Sequence, residues 1–187
     1  GFEMLVSNFS LGISGLGMAM VGFKAIGPIV RNISEVLGNG IQSLVDNNLL
    51  PIASVIIEPA KVLFLNNAIN HGVLGPLGVT QAKETGKSVL FMLETNPGPG
   101  LGVLLAFWLV GPRIVRGSVP GAIIIHFFGG IHEIYFPYIL MKPRLILAAI
   151  AGGASGVAMN VALDNGLTAT PSPGSIFAYM VVTPKGD

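Results

Sequence analysis

Long apolar runs alternate with short polar breaks along this chain. Residues 4–23 carry no charge and match the roughly 20 residues that cross a hydrocarbon core as a helix. Lys24 and Arg31 then mark an aqueous end. Gly12, Gly15 and Gly17 offer a small-residue face for close helix contact. Residues 32–50 are mixed. Ser34, Glu35 and the apolar Val36-Leu37 suit the start of an amphipathic helix, which Gly38 and Gly40 weaken, and Asp46, Asn47 and Asn48 set a boundary. This stretch either lies at the interface or begins another membrane helix. Residues 49–65 are apolar except for Glu58 and Lys61. Pro59 biases Glu58 away from helical backbone. The three-residue spacing nevertheless allows Glu58 and Lys61 to share one face at a helix entrance, either as an interfacial ion pair or as part of a site.

The next break is unusual for so apolar a chain. Asn66, Asn67, Asn70 and His71 fall within six residues and are followed by Gly72, Gly75 and Pro76. Irregular backbone at membrane depth is tolerated only where protein buries it or a cavity wets it. Residues 66–78 therefore read as the tip of a re-entrant hairpin rather than an exposed loop. Lys83, Glu84 and Lys87 return the chain to water or headgroups. Residues 88–94 form a short apolar piece ending at Glu94. The following Thr95-Asn96-Pro97-Gly98-Pro99-Gly100 predicts a break near Asn96, like the discontinuous helices of transporter sites; an ordinary interfacial glutamate is the alternative. Residues 101–111 are apolar again, with Trp108 placed like an interface anchor.

Two basic pairs, Arg113/Arg116 and Lys142/Arg144, bracket residues 117–141. If both pairs lie on the cytoplasmic side, one crossing would separate them and two crossings do not fit in 25 residues. The consistent geometry is a re-entrant hairpin turning near Gly129-Gly130 and presenting Ile131-His132-Glu133 at mid-depth. A single span with Glu133 facing inward is the alternative. His126 lies six residues before His132. Residues 145–163 are uncharged, Asp164-Asn165-Gly166 signals a turn, and Ser172-Pro173-Gly174-Ser175 opens a last apolar piece too short to span.

Composition agrees with this pattern and fixes the class. Of 187 residues, 51% are hydrophobic and 10% charged, with mean hydropathy +0.74; soluble domains carry about 25% charge. The 26 glycines and 13 prolines suit broken membrane helices. The expected fold is an all-α polytopic membrane protein with transmembrane helices, re-entrant hairpins and broken helices. The net charge of +1 says little about partners, and no basic cluster points to nucleic acid. Without cysteine, disulfides, thiolate catalysis and thiolate metal sites are excluded within this sequence. Its start at Gly1-Phe2-Glu3 and polar end at Asp187 suggest a piece of a longer protein.

The chemistry-bearing residues are acids and amides in apolar surroundings. A lone acid in such a run normally faces a protein interior or a wet cavity. His132-Glu133 lacks a second histidine at the zinc-peptidase spacing, since position 136 is Phe. Neither a Walker motif nor a dinucleotide loop occurs. No cofactor or metal is expected. A neutral polyol or sugar suits the inventory better, because carboxylates accept from hydroxyls while amides both donate and accept, and a buried acceptor left unpaired penalises a substrate lacking a hydroxyl. The same acids would also serve a proton-coupled polyol or anion symporter. A purely structural membrane subunit is the third reading.

At these residues the chain resembles a known family. Glu58-Pro59-Ala60-Lys61, Leu65-Asn66-Asn67-Ala68-Ile69-Asn70-His71-Gly72, Glu94-Thr95-Asn96-Pro97-Gly98-Pro99-Gly100, Gly129-Gly130-Ile131-His132-Glu133-Ile134-Tyr135-Phe136-Pro137-Tyr138 and Ser172-Pro173-Gly174-Ser175, with Gly1-Phe2-Glu3-Met4-Leu5, are similar to the membrane-embedded mannitol-specific IIC part of enzyme II of the bacterial phosphoenolpyruvate-dependent phosphotransferase system. The resemblance covers essentially the whole chain. It implies that Glu133, with His132 beside it, Asn70-His71 and Glu94 bind mannitol, with Asn66, Asn67, Glu58, Lys61 and His126 as possible support. It implies residues 1–48 as the end of a scaffold region and 49–187 as a transport region truncated at its C-terminus. It also implies a homodimer in the lipid of the bacterial inner membrane, with IIA and IIB domains or subunits as partners. The implied activity is mannitol translocation coupled to phosphorylation, as part of a phosphotransferase whose phosphocysteine lies outside this chain.

Overall fold

The computed structural model describes residues 2–172 and 174–186. Gly1 and Pro173, quoted in two of the motifs above, and Asp187 lie outside the described residues. The chain divides into two compact units, Gly1–Val36 and Leu37–Asp187. Among the described residues all regular elements are helical. The nearest approach to a strand is one isolated antiparallel bridge between Ser88 and Leu167.

In the first unit, α1 (Phe2–Val21) is followed by a π-helical turn at Gly22–Ile26 and by the opening of α2 (Gly27–Asp46). None of α1's residues is buried. A helix apolar on every side has no face suited to water. The helical stretch Phe2–Asp46 is one of two that are long and apolar enough to cross a membrane.

The second unit begins within α2, which runs through Gly38 and Gly40 to Asp46. The expected weakening at these glycines does not end the helix. Each glycine costs about 1 kcal/mol in helix propensity, while α2 seats Ile41 fully inside the core. Gly38 also permits close packing, since a Cβ there would meet both Val73 methyls at 3.6 Å.

A 3₁₀ turn at Leu50–Ala53 leads into α3 (Ser54–Val62). Glu58 is helical despite preceding Pro59. The proline bias is a preference, and here a tertiary contact opposes it: only a helical turn brings Glu58 and Lys61 to 2.8 Å. The break expected within residues 66–78 instead lies at residues 63–65, where Phe64 takes a left-handed φ of 62°. From there α4 (Asn66–Ile69), a π-helical turn at Asn70–Leu74 and α5 (Gly75–Thr85) follow without interruption. The π-turn explains how a helix accommodates this sequence. Pro76 cannot donate a helical bond, and the widened turn shifts the ladder so that Gly75 N–H meets the Asn70 carbonyl.

Val89–Met92 forms a 3₁₀ turn, and the helix stops before Asn96, as the sequence predicts. Asn96 Oδ1 accepts the Gly98 N–H at 2.9 Å and so starts α6 (Gly98–Val110), with Pro99 in its first turn. Next come α7 (Arg113–Arg116), α8 (Val119–Ile123), a π-turn at Ile124–Phe128, a break at 129–131, a 3₁₀ turn at His132–Tyr135 and α9 (Phe136–Met141). Residues 117–141 form a hairpin rather than a single span. The Ser118 and Tyr138 hydroxyls, at its two feet, lie 3.4 Å apart. Each arm of ten residues is about 15 Å long, half a hydrocarbon core. The turn is at Gly130, whose φ of 77° puts it in the left-handed region.

Finally, α10 (Leu145–Ala162) is the second helix long and apolar enough to cross a membrane. Asp164 turns the chain with φ 51°, and Ser175 Oγ accepts the Ala178 N–H to cap α11 (Ile176–Val182). The unit has two apolar cores. One gathers Ile41, Ile57, Ile69, Leu74 and Leu90; the other gathers Leu104, Phe107, Val119, Tyr135, Phe136 and Ile139. α10 enters both, with Val157 in the first and Ala149 in the second.

Candidate functional site

Three helix breaks and the segment before α11 converge on a polar cavity of about 220 Å³. The start of α4 and the π-turn after it bring Asn66, Asn67, Asn70 and His71. The end of the Val89–Met92 turn brings Glu94 and Thr95. The hairpin turn brings Gly130, Ile131, His132 and Glu133, and the segment before α11 brings Pro171, Ser172 and Gly174. Broken helices are suited to this, because side chains at a break are not committed to packing along a continuous face.

The breaks are cross-linked. Asn66 Nδ2 donates to Glu133 Oε1 at 2.8 Å, tying the start of α4 to the hairpin turn. That bond holds one Glu133 oxygen and leaves the other for a ligand. The Glu94 side chain is 6% exposed and Asn70 is 8% exposed. The buried Asn70 Oδ1 has no protein partner. His132 Nε2 donates to the Gly174 carbonyl at 3.4 Å. The other ring nitrogen, Nδ1, is buried without a protein partner among the described residues.

Behind this wall lies an aromatic layer. The His126 ring sits 4.7 Å from the His132 ring and 5.1 Å from the Tyr135 ring, centroid to centroid. His126 Nε2 donates to the Pro97 carbonyl at 2.9 Å. Gly100 makes room for this, because a Cβ there would come within 2.5 Å of His126 Nε2. Of the ten residues singled out from the sequence, seven line the cavity. His126, Glu58 and Lys61 do not; they are buried outside it. Among the described residues no set of three His, Asp or Glu side chains is arranged to hold a metal ion.

Thr95 and Gly174 escape sequence reasoning. Thr95 donates its hydroxyl to the Phe91 carbonyl at 2.6 Å and accepts from the Tyr179 hydroxyl at 2.7 Å, linking the site to α11. A Cβ on Gly174 would come within 3.0 Å of His132 Nε2 and 3.1 Å of the Thr95 carbonyl, so this approach needs glycine. The only sequence signal for Thr95 is its place beside Glu94.

Comparison with known proteins agrees with this architecture. The family model described as "Phosphotransferase system, EIIC" matches residues 3–153. The mannitol-specific EIICB component of Geobacillus stearothermophilus is 64% identical over 187 residues, and that of Bacillus subtilis is 60% identical over 186. The mannitol-specific EIICBA component of Escherichia coli is 56% identical over 186 residues. Each match takes in 100% of this chain but only 40%, 39% and 29% of the respective relative. No solved structure matches the chain. The family match over most of the sequence, on a helical chain built around broken helices, establishes that the chain belongs to the membrane-embedded EIIC family of the phosphotransferase system.

Proposed function

We propose that this chain forms part of the mannitol channel of a phosphotransferase-system enzyme II, carrying mannitol across the bacterial inner membrane for phosphorylation. The observation that carries the proposal is the cavity itself. Two carboxylates, three asparagine amides and two histidines surround about 220 Å³. That is small beside the ~300–1,000 Å³ of most ligand pockets, as suits a compact polyol. Its carboxylates accept from hydroxyls, and its asparagine amides both donate and accept. The mannitol-specific names of the relatives supply the substrate.

In this reading Glu133, Glu94, Asn70, His71 and His132 bind the polyol. Asn66 orients Glu133, and Asn67 lines the entrance. Residues 1–48 end a scaffold region that pairs two copies in lipid, and 49–187 belong to the transport region. The hairpin of residues 117–141 is re-entrant, with its turn at membrane mid-depth. The IIB and IIA partners are drawn from the composite names EIICB and EIICBA. The polyol hydroxyl oxygen attacks phosphorus on the IIB phosphocysteine, the S–P bond breaks, the cysteine thiolate departs and takes up the hydroxyl proton directly or through water, and a polyol 1-phosphate leaves on the cytoplasmic side. Such a transfer depends mainly on in-line positioning, which the site supplies by fixing the hydroxyls.

The test is mannitol binding and phosphorylation by the full-length protein carrying Glu133→Gln. Losing a charge-assisted hydrogen bond of about 1.5–3 kcal/mol is expected to weaken mannitol binding by roughly ten- to a hundredfold. Unchanged affinity and turnover would sink the assignment.

A further inference from the structure

Glu58 and Lys61 are 1% and 0% exposed, lie 2.8 Å apart and do not line the cavity. Apart from Lys61, the buried Glu58 oxygens have no hydrogen-bonding partner. Stability alone does not account for the pair, since well-packed apolar residues often replace a buried ion pair without loss. Its purpose lies in a third group.

The Glu94 carbonyl needs a donor that its own segment does not provide. Three residues on is Pro97, which has no N–H. Four residues on is Gly98, whose N–H is taken by Asn96 Oδ1 at 2.9 Å. Lys61 Nζ, reaching from α3, donates to the Glu94 carbonyl at 3.4 Å. A helix break beside a cavity leaves the backbone free to move unless such a group is met. The Glu58–Lys61 pair is itself closed in from α10. A Cβ on Gly153 would come within 2.7 Å of Glu58 Oε1 and 3.1 Å of Ser54 Oγ.

We propose that Lys61, held in place by Glu58, is a positioning residue that clamps the Glu94 backbone and so aims the Glu94 carboxylate into the cavity. This rests on the polyol-binding reading of that cavity. Glu58 and Lys61 then contribute to mannitol affinity without touching mannitol, and α10 reaches the site through Gly153.

The test uses the full-length protein in membrane vesicles with mannitol as the probe. The double variant Glu58→Met/Lys61→Met removes the clamp and both charges of the pair; since it also takes the Lys61 charge from beside buried Glu94, Gly153→Ala is the variant that isolates positioning from charge. It is expected to unfold near the wild-type temperature yet bind mannitol at least tenfold more weakly, with KM rising by a similar factor and kcat changing by less than about threefold. Gly153→Ala keeps every charge and displaces Glu58 sterically; it is expected to raise the Kd by about threefold or more. A merely structural role would lower the unfolding temperature and leave the Kd of the folded protein unchanged. A Kd within twofold of wild type overturns the proposal in the double variant, or in Gly153→Ala should the double variant not fold. Glu94→Ala separates the two levels. Full affinity in that variant defeats the cavity reading itself, whereas weakened binding there with normal binding in the clamp variants defeats only the positioning role.

Discussion

Asn66 shows most clearly what a single residue does here. It opens α4 one residue after the left-handed turn region of 63–65 and donates to Glu133 Oε1 across 67 positions of sequence. Asn66→Ala removes that donor and lets the Glu133 carboxylate rotate away from the cavity. The expected result is a five- to thirtyfold loss of mannitol affinity, corresponding to about 1–2 kcal/mol, read by isothermal titration. Asn66→Asp is expected to be worse, because it places a second carboxylate against the first. At this scale the sequence is most informative about acids. Glu94, His132 and Glu133 stand out because polar groups are rare in their apolar runs, and all three line one cavity. The Asn66–Glu133 partnership was not legible, because nothing local connects residues so far apart. Nor was Thr95, whose use depends on a tyrosine 84 residues later.

Elements that end early build the site, and at the hairpin turn a glycine decides where they end. The Gly130 backbone has φ 77°, and a Cβ there would come within 2.6 Å of the Ser175 amide nitrogen. Gly130→Ala meets both a left-handed penalty of about 1–2 kcal/mol and that clash. The hairpin turn is expected to shift, lowering the unfolding temperature in detergent and weakening mannitol binding together. A melting curve paired with a binding titration checks this, and a variant with a normal melting temperature and affinity would refute it. Breaks caused by proline and glycine near Asn96 and at 129–131 were readable, since those residues remove donors or require unusual backbone. The polar run at 66–78 was read as irregular because its asparagines are followed by Gly72, Gly75 and Pro76, which disfavour a continuous helix. The fold keeps it helical by widening one turn at Asn70–Leu74, so that Pro76 needs no donor. Such a local ladder shift leaves no periodic trace in sequence.

For the whole molecule, hydropathy identified the membrane class, but the path of the chain depended on contacts. The two basic pairs suggested a hairpin at 117–141, and the Ser118–Tyr138 approach decides it over a single span. The assembled cavity then gathers two acids that no segment brings together alone. Glu94 and Glu133 line it from different breaks, and no lysine or arginine does; Lys61, the buried cation nearby, is paired with Glu58. A neutral polyol loses nothing by this, whereas a phosphorylated one faces like charge. Two charges about 6 Å apart at an effective dielectric near 20 repel by about 3 kcal/mol, or roughly a hundredfold in affinity. Mannitol 1-phosphate is therefore expected to compete with radiolabelled mannitol on the full-length protein at least a hundredfold more weakly than mannitol does. Glu133→Gln is expected to narrow that gap by relieving one repulsion, even as it weakens mannitol itself. Equal competition by the two ligands would show that charge in the cavity does not discriminate.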